Sequence, residues 1–490
     1  IWIGLGVYAL FSAARKYIHP NIAATAATVL SLVAVPAVMA YQNWDDHDRS
    51  QKYSAEFIAD AYLESVAENK DAMIFTIGDN DTFLLWYAQE IEGYRTDVRV
   101  INTSLLQTDW YIDQMKRQAY QSTPIPGQLV HKQYAHGVRE AIYYQKRTDN
   151  RWNIKDFVNW ITSDDPSTRS SRGAGEYKQD FYYYPTNKLR IPVNKENVLK
   201  SGIVKPEDAD KIVDYIDITL PGAIDKARIV MLDILANNDW KRPIYFTGGS
   251  MDSAEYLWMK DYLQLDGLVY KLVPIKTPID KNNPYDMGRI DSELMYNIVK
   301  RWTWGNMGKE GIYLDPETRK NSIIFRGNLA RLTEQLIAEG KTAKASEIID
   351  IAMKNMPVDA YGYYFTLDPF IEGSYKVGKK EQARAIALQV IKKYQEELNY
   401  YTHLPAGELN SNAKRIQYCI DRYGEVVMLS ETLDKGFYTA QWAIFKDKAG
   451  LFMGEKELEE YFKGAASQAA LDSLRNTLID TTATSDSTEE

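Results

Sequence analysis

The stretch AMIFTIGDNDTFLLWYAQEIEGYRTDVRVINTSLLQTDWYIDQM, residues 72–115, decides the fold class. Residues 72–77 are a short apolar, β-favouring run, and Gly78-Asp79-Asn80-Asp81-Thr82 behind it has the turn composition that stops a strand and caps a helix. Residues 83–92 carry a helical pattern with Gly93 as its stop, and residues 98–102 predict a second strand. Thr108-Asp109 then caps a helix through Trp110, Ile112 and Met115. Strand and helix alternate across short connections, the pattern of a mainly parallel sheet with crossover helices. Such sheets bind ligands at the carboxyl ends of their strands, so Asp79, Asn80, Asp81, Thr82, Asp109 and Trp110 are the expected ligand contacts.

Working outward, 490 residues suffice for two or three domains, and 45% hydrophobic with 26% charged residues is ordinary for globular protein. A net charge of −9 without a concentrated basic run argues against a nucleic-acid partner. The lone Cys419 rules out an intrachain disulfide framework and any multi-cysteine metal site. Thirty-five tyrosines and 11 tryptophans suit sugar-stacking surfaces, and suit buried cores and interfaces equally well.

Residues 1–14 read as the end of a truncated transmembrane helix. Residues 22–41 are an uncharged run that would cover about 30 Å as a helix, one bilayer core. Ala23, Ala27 and Ser31, with Ala24 and Thr28 beside them, form a small-residue stripe of the kind that lets helices approach in lipid. The basic pair Arg15-Lys16 belongs on the cytoplasmic side, which sends residues 42–490 to the periplasmic side of the inner membrane. A signal peptide, whose small-residue cleavage rule Val38 and Ala40 satisfy, is the rival reading, and it also exports the rest. Beyond the span, Asp45, Asp46, His47 and Asp48 form a candidate divalent-cation site or, alternatively, a polar collar with a helix cap.

Residues 42–275 are read as an α/β extracytoplasmic domain interrupted by an insertion at 122–222. Short strands are expected there at 189–193 and 216–220, and the polar loop 163–175 is a candidate lid or a plain loop. His131 and His136, five apart, do not share a helix face and make a poor metal pair. A helix at 225–237, a strand at 242–246, a helix at 254–263 and a strand at 268–275 complete the unit. Gly248-Gly249-Ser250 would offer backbone N–H groups to an anion, without the spacing of a P-loop or dinucleotide fingerprint.

Residues 276–320, with Pro278, Pro284 and Pro316 around a helix at 292–302, read as a linker region. In residues 321–470 the period changes: Leu329, Leu332, Leu336, Gly340, Ala345, Ile349, Ala352 and Pro357 fall as in a tetratricopeptide repeat. The turn recurs at 378–383 without a closing proline, and a long helix is expected near 412–433, which together predict a short helical array. Such an array would either bind a protein partner or pack against the α/β lobe. Residues 471–490 read as a disordered tail.

Asn43-Trp44-Asp45-Asp46-His47-Asp48-Arg49-Ser50, Gly78-Asp79-Asn80-Asp81-Thr82-Phe83, Trp86-Tyr87, Glu90, Gly93, Arg95, Asp97-Val98-Arg99-Val100 and Thr108-Asp109-Trp110-Tyr111-Ile112 resemble a multi-pass membrane family abundant in Bacteroidetes. The resemblance continues through Leu232-Asp233-Ile234-Leu235, residues 238–246 and Leu272-Val273-Pro274-Ile275. That family, a domain family of unknown function with a C-type glycosyltransferase-like bundle, is similar to the transmembrane protein O-mannosyltransferases of animals. The resemblance implies the C-terminal part of a polytopic glycosyltransferase using a lipid-phosphate-sugar donor and an exported protein acceptor. It also implies that the catalytic residue sits in an upstream bundle, so that the lobe aids donor or acceptor binding. The alternatives are a membrane-anchored interaction module working through its helical repeats, and a metal-dependent hydrolase uniting Asp45–Asp48 with Asp79 and Asp81.

Overall fold

The computed structural model describes residues 1–68, 70–172, 179–220, 222–247, 258–277 and 287–464, with backbone alone at 45, 46, 172, 179, 463 and 464. The Gly248-Gly249-Ser250 turn, residues 254–257 of an expected helix, part of the 163–175 loop and the 471–490 tail lie outside the described residues. Two units divide the chain: residues 1–53 with 309–315, and residues 54–308 with those from 316 onward.

The first unit holds α1 (Trp2–Ala14) and α2 (Pro20–His47). Proline at the first helical position has no N–H to leave unpaired, and the His19 ring accepts from Asn21 N at 3.3 Å, so α2 starts at Pro20, two residues before the expected span. Of α2, Pro20–Trp44 is long and apolar enough to cross a membrane. Ala23 and Ala27 of the small-residue stripe are its buried side chains, where α1 packs on it. The helix continues six residues past the expected span, placing residues 45–47 on its last turn, and Asp48 is its C-cap.

The second unit begins with α3 (Ser54–Glu64), β1 (Met73–Thr76), α4 (Asp79–Glu90), β2 (Arg99–Asn102) and α5 (Asp109–Met115), the alternation read from the sequence. The insertion follows: β3 (Ala141–Tyr144), β4 (Trp152–Asn153), α6 (Ile154–Thr162), β5 (Arg169–Arg172), β6 (Gln179–Tyr184), β7 (Lys188–Pro192), β8 (Tyr215–Thr219) and β9 (Ile224–Asp225). These strands form two small sheets, β5-β6-β3-β9 and β4-β7-β8. The antiparallel pair β7 and β8 lies within one residue of the strands expected there.

The chain returns to the main sheet through α7 (Lys226–Asn237), capped by Asp225 and buried from Lys226 to Ala236, into β10 (Ile244–Thr247). Then come β11 (Leu263–Asp266) and β12 (Val269–Leu272). The five strands run β11-β12-β10-β1-β2. β10, β1 and β2 are parallel, with Met73 opposite both Ile244 and Arg99, whereas β12 and β11 join antiparallel. The sheet is therefore mixed, not mainly parallel as its first half suggested. A two-residue turn at Gly267-Leu268, with Gly267 at φ +59°, can only close an antiparallel hairpin. Residue 263, expected to end a helix, instead opens β11.

After α8 (Ser292–Arg301), the helical region runs α9 (Pro316–Ala338), α10 (Thr342–Asn355), α11 (Asp368–Lys376), α12 (Lys380–Tyr401), α13 (Ala413–Met428), α14 (Lys435–Ala449) and α15 (Glu455–Gly464). Gly340 at φ +74° and Gly378 at φ +83° sit in the two tight turns that the pattern placed there. The hairpins they close are unequal, 23 with 14 residues and then 9 with 22, unlike a uniform repeat. α9 docks on the β11–β12 hairpin and the segment beside it: Asn328 Nδ2 donates to Gly267 O at 2.9 Å and Arg331 donates to Gly288 O at 3.0 Å.

Candidate functional site at the carboxyl edge of the sheet

From β1 the chain crosses through α4 to β2 on one side, while β10 lies on the other, so the order of strands reverses between β1 and β10. That is where a parallel sheet opens a crevice beyond its strand ends. Asp81 bridges the two strand ends there. Its carboxylate accepts from Ile77 N (3.1 Å), Gly78 N (3.2 Å) and the Thr247 hydroxyl (2.5 Å), tying the start of α4 to the ends of both strands. Thr82 is buried; its hydroxyl donates to Gly78 O at 2.6 Å, accepts from Asn102 Nδ2 at 2.8 Å and lies 2.6 Å from Thr76 Oγ1. Asp79 and Asn80 are exposed in the first turn of α4. A carboxylate there also gains from the positive end of the helix.

The second acidic turn is built the same way. Ser104 Oγ donates to Ile77 O at 2.8 Å, joining the turn after β2 to the turn after β1. Thr108 occupies the N-cap position of α5 but turns its hydroxyl back to Leu105 O, at 2.7 Å. Asp109 accepts from His136 N at 3.1 Å and from Trp110 N at 2.7 Å. Those two backbone donors, His136 first, hold its carboxyl below the usual carboxylate range. Trp110 leaves 55% of its surface to solvent. The acidic side chains of the two turns share no hydrogen bond among the described residues; Ser104, through Ile77, and Asn102, between Thr82 and Leu105, link the turns.

One wall of this edge went unread in the sequence. The segment 131–140 folds onto α5: His131 Nδ1 meets Asp113 Oδ2 at 2.9 Å, and Tyr134 donates to Asp113 Oδ1 at 2.7 Å. Beside it, the Lys226 side chain, 3% exposed, pairs with Glu140 at 2.7 Å. Gln107 donates to Asp225 Oδ2 at 2.6 Å, joining this edge to the cap of α7. In the sequence only the two histidines of this wall stand out, because these partners lie 18 to 118 residues apart in the chain.

Among the described residues no group of three or more His, Cys, Asp or Glu is placed to hold a metal ion. Of residues 45–48, the side chains of Asp45 and Asp46 lie outside the description. The His47 ring is 2.9 Å from Asn43 O, and the Asp48 carboxylate accepts from Ser50 N at 2.9 Å.

The chemistry on offer is recognition. Asp81 and Asp109 have both carboxylate oxygens engaged by protein donors. The accessible groups are the Asp79 carboxylate, the Asn80 amide and the Trp110 indole, a set that accepts hydroxyls, donates to them and stacks on a flat apolar face.

No curated protein and no solved structure matches the chain. Residues 55–294 match the model of the family described as TMEM260-associated domain 2, a span that runs from α3 into α8 and contains the whole five-stranded sheet. Over its α/β lobe, just under half of the 490 residues, the chain is therefore similar to that domain, and the similarity covers both acidic turns at the sheet's carboxyl edge.

Proposed function

We propose that this chain is the C-terminal part, mostly extracytoplasmic, of a membrane glycosyltransferase of the protein O-mannosyltransferase-like kind, and that its α/β lobe binds donor or acceptor without performing the transfer. The match of residues 55–294 to a TMEM260-associated domain carries the reading. The donor would be a lipid-phosphate sugar and the acceptor an exported protein, with α2 anchoring the lobe and the lobe on the exported side. Asp79, Asn80 and Trp110 meet the sugar or the acceptor, and Asp81, Thr82 and Asp109 act as positioning residues that hold the two turns. The docking of α9 on the β11–β12 hairpin supports a buttressing role for the helical region rather than a groove for a separate partner.

The test is protein glycosylation in membranes containing the full-length protein. Asp79→Ala with Asn80→Ala, and separately Trp110→Ala, should each lower transfer about tenfold or more, the loss of one contact of about 1.4 kcal/mol, with the melting temperature unchanged. Transfer at the normal rate in both variants removes the contact role.

A further inference from the structure

The outward side of α4 is apolar where a surface helix is normally polar. Its inward side is Thr82, Leu85, Ala88 and Gln89. Facing water are Phe83 (53% exposed), Tyr87 (41%) and, at the helix end, Ile91 (70%), with Trp86 beside Phe83 at a ring distance of 5.6 Å. Positions 83, 86, 87, 90 and 91 recur every three to four residues and so share one stripe. Tyr120, 60% exposed, edges the stripe through a hydrogen bond from its hydroxyl to Glu90.

The frame of the stripe is acidic: Glu56 and Asp60 of α3 stand beside it, Glu90 lies on it and Glu92 follows its end. Tyr87 donates to Glu92 Oε1 at 2.7 Å, and Glu56 and Asp60 of α3 bear electrostatically on the same phenol. Burial first, and then Glu56, Glu64 and Glu92, push the Asp60 carboxyl up to about 6. Glu64 is matched by Arg301 at 2.8 Å. Among the described residues no cation pairs with Glu56, Asp60 or Glu92. An apolar stripe in uncompensated negative potential is matched by a partner that is apolar and positive.

We propose that the outward face of α4 docks a cationic amphipathic polypeptide segment, whose apolar side covers Phe83, Trp86, Tyr87 and Ile91 and whose Lys or Arg side chains meet Glu56, Asp60 and Glu92. Like charge disfavours the two other occupants, a second copy of the lobe and an anionic lipid surface. The docking uses none of the residues assigned to the sugar, so it stands or falls separately from the glycosyltransferase reading.

The experiment uses the full chain in zwitterionic nanodiscs, with empty discs as blank. The probe is a labelled synthetic helix of Leu, Phe and Lys, roughly five turns long, compared with the same peptide carrying Glu for Lys. The Lys peptide should bind, more weakly as salt rises, and the Glu peptide should not. Phe83→Ser with Ile91→Ser should weaken binding about tenfold or more. Glu56→Gln, Asp60→Asn and Glu92→Gln together should weaken it and flatten the salt dependence, both variants melting no lower than wild type. The proposal is overturned by no binding of the Lys peptide, by equal binding of both peptides, by undiminished binding in either variant, or by anionic vesicles binding as tightly through Phe83 and Ile91.

Discussion

Asp81 shows how one side chain sets the geometry of the edge. It accepts two backbone N–H groups at the start of α4 and a hydroxyl from β10, so removing it leaves three donors without their acceptor. Asp81→Ala is expected to cost about 2 kcal/mol, and Asp79→Ala, at an exposed position, within about 0.5 kcal/mol, both read from denaturant midpoints. Asp60 predicts a pH dependence. Burial first, and then Glu56 and Glu64 on its own helix and Glu92 beyond α4, raise its carboxyl from 3.8 to about 6. The folded chain thus holds an extra proton between those values, and this group's contribution to stability falls as pH rises through that window. Above it the penalty is constant. Asp60→Asn should therefore stabilise the protein by about 1 kcal/mol at neutral pH, allowing for partial exposure, and have little effect at about pH 4. Equal effects at both pH values would show that ionisation of Asp60 is not the cause.

At the scale of elements, Gly424 on α13 runs against helix propensity. In an exposed helix, Gly→Ala gains about 1 kcal/mol. Here a Cβ would stand 2.2 Å from Cζ of Phe462, which packs on Phe445 and Trp442 from α15. Gly424→Ala should push Phe462 out and undock α15, seen as faster amide exchange across residues 455–464 with α13 itself still protected. The same scale explains what was readable. The glycines at 340 and 378 announced their turns because a left-handed backbone conformation selects glycine locally. Leu263, expected to end a helix, opens a strand instead, because pairing of 263–266 with β12 decides the backbone there.

In the second unit polar contacts hold the helical region together internally and also tie it to the lobe. Arg326, fully buried, donates to Gly362 O at 2.6 Å and Met356 O at 2.8 Å, and the low-dielectric surroundings lower its guanidinium to about 10. It fixes the connection that carries α10 into α11. With α9 also seated on the β11–β12 hairpin, the lobe and the helices are expected to melt in one transition. Asn328→Ala with Arg331→Ala should lower the stability of both, by about 1 to 3 kcal/mol. Two separated transitions in the wild type, with only the helical one shifted in the variant, would show that the docking is weak.

Whatever depends on a dozen consecutive residues was written plainly in the chain: the apolar span of α2, the strand–helix alternation of residues 72–115 and the turn glycines. Hydropathy, capping and backbone preference act locally, so they survive reading in one dimension. The direction of the last two sheet strands, the engagement of Asp81 by Thr247 across 166 positions and that of Gln107 by Asp225 across 118 came only with the folded chain. A hydrogen-bond acceptor has many donors of the right chemistry along 490 residues, and only the fold's geometry selects which of them arrives within about 3 Å.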